Sequence, residues 1–157
     1  MSLSLKKLWL LFAITGICLL SGFHSGPTSA VWQQDFQSAM TMSEESGHPV
    51  LMVFSGSDWC RPCMKLKEQV LESSDFYQFA ENHLVLLEVD FPRSKKNQPS
   101  KEQQLHNEKL AERFNPQGIF PYVLLLNSHE EVMSASSVES FQVNEFIALV
   151  ESWVGDN

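Results

Sequence analysis

Two cysteines separated by an Arg-Pro pair, in the run Trp59-Cys60-Arg61-Pro62-Cys63, constrain this chain more than any other feature. The Trp59–Cys63 run follows Val50-Leu51-Met52-Val53-Phe54, a continuous apolar run of strand length, after a connection of four residues. Such a run is the pattern of a strand covered on both faces, which places it inside a sheet. From the second cysteine onward, Cys63, Leu66 and Val70 recur at i, i+3 and i+7 and mark one face of a helix. The pair therefore lies at a strand-to-helix junction. There the unpaired N–H groups of the first helical turn and the positive end of the helix dipole stabilise a thiolate at Cys60, whereas Cys63 lies one turn further in and is more covered. Position alone separates the roles: Cys60 attacks a disulfide and Cys63 resolves the mixed disulfide. This reading predicts that Cys60 is the more exposed thiol and that its pKa lies below the unperturbed value of about 8.5. Arg61 adds a cation, and Pro62 is tolerated because its missing N–H had no helical partner.

Cysteine and charge counts narrow the chemistry. Only 3 cysteines occur in 157 residues, too few for a disulfide-stapled scaffold, and a chain of this length buries most of its apolar surface without staples. A tetrahedral zinc site needs about four ligands. No second cysteine pair exists beyond the N-terminus, and His48, His83, His106 and His129 are scattered without ligand spacing. Two inert core thiols are the bland alternative to redox chemistry. Formal charge is −8, with no basic block beyond Lys95-Lys96 outside the N-terminus, so the electrostatic footprint of nucleic-acid binding is missing. No metal or organic cofactor is expected, the redox group being the Cys60–Cys63 disulfide.

Residues 1–30 read as an export signal, leaving residues 31–157 as one domain. Lys6 and Lys7 form a basic start, Leu8 through Leu20 an uninterrupted run of 13 apolar and small residues, and Thr28-Ser29-Ala30 a small-residue cleavage site. A spanning helix needs about 20 apolar residues, so the run suits a cleaved signal, and the mature chain then has no membrane span. An uncleaved membrane anchor is the alternative. Cys18 raises lipid attachment, but Ile17 precedes it and Leu19-Leu20 continue the apolar run, so Cys18 reads as part of the signal.

Along the mature chain, Trp32, Phe36 and Met40 recur every fourth position and predict a first helix from Trp32 to Ser46, with Gly47 as its stop. Ser74 or Asp75 caps a short helix carrying Phe76, Phe79 and Ala80, and Leu84–Val89 supplies a second strand. Pro92 to Pro99 reads as a solvated loop, where Arg93, Lys95 and Lys96 cluster. Ser100 with Gln103 forms a capping box opening a helix to Phe114, which Asn115-Pro116-Gln117-Gly118 stops. Tyr122–Leu126 is a third strand headed by Pro121, and Glu131–Ala135 its antiparallel partner after a turn. Val143, Phe146, Ile147, Val150, Trp153 and Val154 share one face of a final helix.

The strand Val50–Phe54, the Trp-Cys-Arg-Pro-Cys run, the helix after it, and the proline of Gly118-Ile119-Phe120-Pro121 before an apolar strand together resemble thioredoxin across residues 32 to 154. Gly56-Ser57-Asp58-Trp59-Cys60 is similar to exported bacterial thioredoxin-like proteins, including reductase domains of periplasmic electron-relay type. The resemblance implies an α/β thioredoxin fold, a central mixed β-sheet flanked by helices, with Pro121 cis and lying against the dithiol. It also exposes departures. The strand aspartate that thioredoxins commonly carry six residues before the first cysteine, thought to assist proton movement, is Phe54 here. A lysine often found in the next strand is Leu86, and the proline that kinks the active-site helix is replaced by Glu68. Phe120 is bulkier than the usual residue before the cis proline, and Phe91 to Gln104 looks like an insertion; both bear on partner choice. Trp59 shields the disulfide or contacts partners, and Asp58 either modulates the thiols or faces water.

The resulting expectation is an exported, periplasmic thiol–disulfide oxidoreductase working on exported proteins with thiols or disulfides, or on a redox relay protein. A reductase or isomerase is expected rather than an oxidase, because Arg61-Pro62 lacks the histidine found in strongly oxidising relatives. The competing expectation is a thioredoxin-fold module that binds peptides or proteins beside Pro121 while the cysteines stay idle or form a static bridge.

Overall fold

A computed structural model describes residues 31–155; the readings of residues 1–30, including Cys18, lie outside the described residues. Four strands form one sheet in the order β2-β1-β3-β4. Strand β1 (Val50–Ser55) sits inside, parallel to β2 (Val85–Asp90) and antiparallel to β3 (Tyr122–Leu126), which pairs antiparallel with β4 (Val132–Ser137). All six residues of β1 are buried, as its continuous apolar run requires of a strand with helices on both faces.

The alternation of β1 divides the core. Leu51 and Val53 face a cluster with Leu66, Val70, Phe76, Phe146 and Val150, contributed by α2 (Arg61–Leu66), the turn after it, α3 (Ser74–His83) and α5 (Val143–Gly155). Val50, Met52 and Phe54 face the other way, onto Phe36 and Met40 of α1 (Phe36–Ser46) and Leu110 and Phe114 of α4 (Lys101–Phe114). The mixed sheet flanked by helices is thus observed.

Several boundaries differ from the sequence expectation, each for a local reason. The first helix begins at Phe36, because Asp35 is its N-cap and accepts from Ser38 N–H at 2.7 Å. Trp32 lies before it, stacked on Phe76 in the opposite cluster, while Gln33 bridges the free edge of β2, its N–H donating to Leu86 O and its carbonyl accepting from Glu88 N–H. Ser73, not Ser74 or Asp75, caps α3, its Oγ accepting from Phe76 N–H at 3.2 Å. Ser100 caps α4, but the reciprocal half of the capping box is absent: Gln103 Nε2 donates to Gln34 O and Asn107 Oδ1. Strands β2 and β4 each run past their expected ends. The active-site helix widens into a π turn at Lys67–Leu71, where Glu72 N–H donates to Lys67 O at 2.9 Å. The basic loop contains a 3₁₀ turn, Lys95–Asn97.

Candidate active site

Cys60 is the N-cap of α2 and Cys63 its third residue, so the two sulfurs meet across the first turn. They form a disulfide with Cα atoms 5.2 Å apart, inside the range a disulfide spans. Cys63 N–H points at Cys60 Sγ, 3.2 Å away, so an orphan donor of the helix start is aimed at that sulfur. Arg61 and Pro62 follow on the exposed side. Exposure separates the cysteines less than position suggests: both are buried, Cys60 at 5% and Cys63 at 3%.

The approach to Cys60 is held by the segment after β2. Asp90 accepts from Ser57 N–H at 2.8 Å and from Ser57 Oγ–H at 2.6 Å. Trp59 Nε1–H donates to Phe91 O at 2.7 Å. Asp58 accepts from Arg93 N–H, Ser94 N–H and Asn97 Nδ2–H at 2.9, 2.9 and 3.0 Å. The Arg93 N–H, with further help from Ser94 and Asn97, holds the Asp58 carboxyl below its ordinary 3.8, against partial desolvation that acts the other way. Asp58 therefore neither modulates the thiols by contact nor faces water alone: it anchors the Phe91–Gln104 segment. Gly56 makes the close fit possible, since a Cβ there would run into the Trp59 indole.

The Phe120–Pro121 peptide is cis. Asn115, 3% exposed, grips the loop before it from both sides, its Nδ2–H donating to Ile119 O and its Oδ1 accepting from Ile119 N–H, each at 2.9 Å. Phe120 meets Trp59 edge-on at 5.4 Å and Phe91 at 5.7 Å, which accounts for its bulk: it fills the angle between the dithiol turn and the inserted segment. Asn115 escaped the sequence reading because an Asn-Pro-x-Gly run looks like any turn.

Pro121 and Cys63 line one cavity of about 160 Å³, together with Val53, Leu66, Lys67 and Glu88. The β1 residues beneath the site are thus Val53 and Ser55, while Phe54 points to the opposite face. Correspondingly, the group that the neighbouring strand offers is not Leu86, which is buried, but Glu88, opposite Val53 in register and paired with Lys67 at 3.5 Å. The resemblance points to Leu86, two residues earlier on the same face of β2, so Glu88 was missed by position along the strand and not by face. Among the described residues no group of three His, Cys, Asp or Glu is arranged to hold a metal ion, and no helix is long and apolar enough to cross a membrane.

Relatives carry the same fold. The chain is 31% identical over 119 residues to the disulfide bond reductase DsbH of Chlamydia pneumoniae, covering 76% of this chain and 70% of that protein. It is 39% identical over 103 residues to the thioredoxin-related protein DsbJ of the same organism, covering 66% of this chain but 28% of that longer protein. A solved DsbH oxidoreductase superposes with a TM-score of 0.74 at 27% identity, over 91% of this chain and 96% of that one. A thioredoxin from Thermus thermophilus, at 19% identity and a TM-score of 0.59 over 80% of this chain and 87% of its own, shares the fold. A family model described as thioredoxin-like matches residues 31–128. With a helix-capping disulfide beside a cis proline and these relatives, the chain belongs to the thioredoxin-like family, among its bacterial thiol–disulfide oxidoreductases.

Proposed function

We propose that this chain is an exported disulfide reductase or isomerase in which Cys60 attacks and Cys63 resolves. The observation that carries the assignment is Cys60 at the N-cap of α2 with Cys63 N–H directed at its sulfur. In the reducing direction, the Cys60 thiolate attacks one sulfur of a partner's disulfide; the Cys60–partner bond forms and the partner's second sulfur leaves as a thiolate. Cys63 then loses its proton and attacks Cys60 Sγ. The internal disulfide forms, the partner's first sulfur leaves, and two electrons have passed to the partner. Re-reduction requires a dithiol relay partner, and no metal or organic cofactor enters the cycle. Trp59 and Phe120 flank the entering sulfur, and Pro121 lies beside the cavity of Cys63.

The direction follows from magnitudes. Couples range from about −270 mV for thioredoxin to about −120 mV for the oxidase extreme, a span of about 7 kcal/mol. A helix terminus supplies about 0.3–1 kcal/mol, up to about 2 when partly buried, and an exposed cation such as Arg61 about 1 or less. Nothing in Arg61-Pro62 reaches the oxidase end. The export reading of residues 1–30 and the disulfide bond reductase activity named for the chlamydial relative support an exported setting with a redox relay protein or exported proteins as partners.

Two experiments test this. Equilibration with glutathione should place the couple below about −150 mV; a value at or above that, toward the oxidase extreme, rejects the direction. Cys63→Ser should accumulate mixed disulfides that Cys60→Ser does not form. Two slowly alkylating thiols, or a bridge that resists reduction, would instead make the fold a binding module with an idle pair.

A further inference from the structure

The segment after β2 does more than brace the site. Its Arg93 guanidinium lies over the Trp59 ring at 3.8 Å from the centroid, well within cation–π range. Trp59 directly precedes Cys60 in the chain, so this cation is docked on the residue beside the proposed nucleophile. The segment is not free to carry it elsewhere: Asp58 accepts from its Arg93, Ser94 and Asn97, and Trp59 donates to its Phe91. Among the described residues the ion pairs are Lys67–Glu88 and Arg113–Glu130, and Arg93 and Arg61 enter neither. The carboxylates of this layer, Asp58 and Asp90, are turned to the segment's own N–H groups and to Ser57. Arg93 is therefore oriented on one face by the indole and unpaired at its donor edge, with Lys95 and Lys96 exposed just after it in sequence and Arg61 exposed just after Cys60, on a chain whose formal charge is −8. A cation so held, in a protein so acidic, favours negative charge beside Trp59 and the site.

We propose that Arg93, docked on Trp59 and anchored through Asp58, is a recognition residue for acidic side chains next to the disulfide of a polypeptide partner. The proposal rests on the reading that Cys60 exchanges disulfides with such partners. A planar guanidinium with free N–H donors takes a carboxylate in two parallel hydrogen bonds, and partner cysteines flanked by Asp or Glu would meet it as their sulfur reaches Cys60.

The test uses the reduced full chain and two disulfide-bridged peptides identical except for Asp or Lys on either side of one cysteine, with hydroxyethyl disulfide as an uncharged substrate. The ratio of kcat/KM, acidic over basic peptide, should be about fivefold for the wild type at low salt, the upper range for one exposed pair, and should fall as salt is raised. Arg93→Gln should bring the ratio near one whatever its overall rate, Arg93→Lys should retain part of it, and Asp58→Ala, which releases the segment, should lower it although Arg93 is present. Equal rates on both peptides, or an unchanged ratio in Arg93→Gln, overturn the recognition proposal while turnover of hydroxyethyl disulfide leaves the exchange reading standing. Failure on all three substrates overturns both.

Discussion

Glu88 and Asp58 show how two carboxylates near one disulfide take separate tasks through what surrounds them. Glu88 reaches the cavity behind Cys63 with its side chain 22% exposed, paired with Lys67. Glu88 and Glu72 are the carboxylates on the wall of that cavity, and the proposed resolving step requires Cys63 to shed a proton. Glu88→Gln should slow release of the trapped partner about tenfold in stopped-flow, a modest share of the 10²–10⁴ that a well-aligned base supplies; Glu72→Gln, on the same cavity wall, should not. Asp58 is a structural anchor with an acid limit. The fold holds its carboxyl below 3.8, so the stabilisation is complete above that unfolded value and is lost as pH falls through the lower folded one. NMR of the Arg93 and Ser94 amides should report detachment of the segment with its midpoint below pH 3.8 in the wild type and at all pH values in Asp58→Ala.

Among the elements, ends rather than middles carry the device. Asp35 accepts from both the N–H and the Oγ–H of Ser38, and those bonds, the hydroxyl first, hold its carboxyl below the ordinary value. His106 of α4 completes this end, its Nε2 accepting from Phe36 N–H at 3.2 Å. Asp35→Ala should cost about 1 kcal/mol in urea unfolding, a loss that shrinks in acid because the wild type forfeits the same bonds when Asp35 is protonated. The loop between α4 and β3 depends on Asn115. Removing its amide strands the N–H and C=O of Ile119, so Asn115→Ala should cost about 2 kcal/mol. It should also depress exchange activity, because Phe120 and Pro121 follow immediately. In the active-site helix, the π turn at Lys67–Leu71 includes Glu68, which stands where the resemblance implies a kinking proline. The backbone departs from α geometry there without one, and π turns are a recognised cause of helix bending.

For the whole molecule, one sheet divides two cores, and the dithiol helix rests on one of them. The cluster of Leu51, Val53, Phe76 and Phe146 backs the dithiol helix, while the cluster of Phe36, Phe54 and Phe114 lies across the sheet. Phe76 is fully buried and packs on Trp32 and Phe146 at 6.5 and 5.8 Å. Phe76→Ala should lose about 3–5 kcal/mol, whereas Val132→Ala, at a site 51% exposed on the outer strand β4, should stay within about 0.5. Denaturant titration of both variants measures the contrast.

The sequence by itself determined what short-range periodicity and cap chemistry encode. The buried run of β1, the cysteine pair at a strand-to-helix junction, the helices ending at Phe114 and running on from Val143, and the antiparallel third and fourth strands could all be read from spacing. Resemblance supplied the thioredoxin fold and the proline before β3. Tertiary structure decided what depends on residues far apart meeting. Trp32 leaves the helical series because the β2 edge offers Gln33 a pairing partner. Val53 rather than Phe54 faces Cys63, because the side on which a strand residue falls is set by how β1 registers with β2 and β3, and alternation reverses at each residue. Asp58 binds amides 35 and 36 residues away, and Arg93 of the basic segment lies over Trp59. Such contacts have no local signature, since each is specified by the chain's return to the same sheet end, where hydrogen-bond geometry selects among groups that composition alone leaves equivalent.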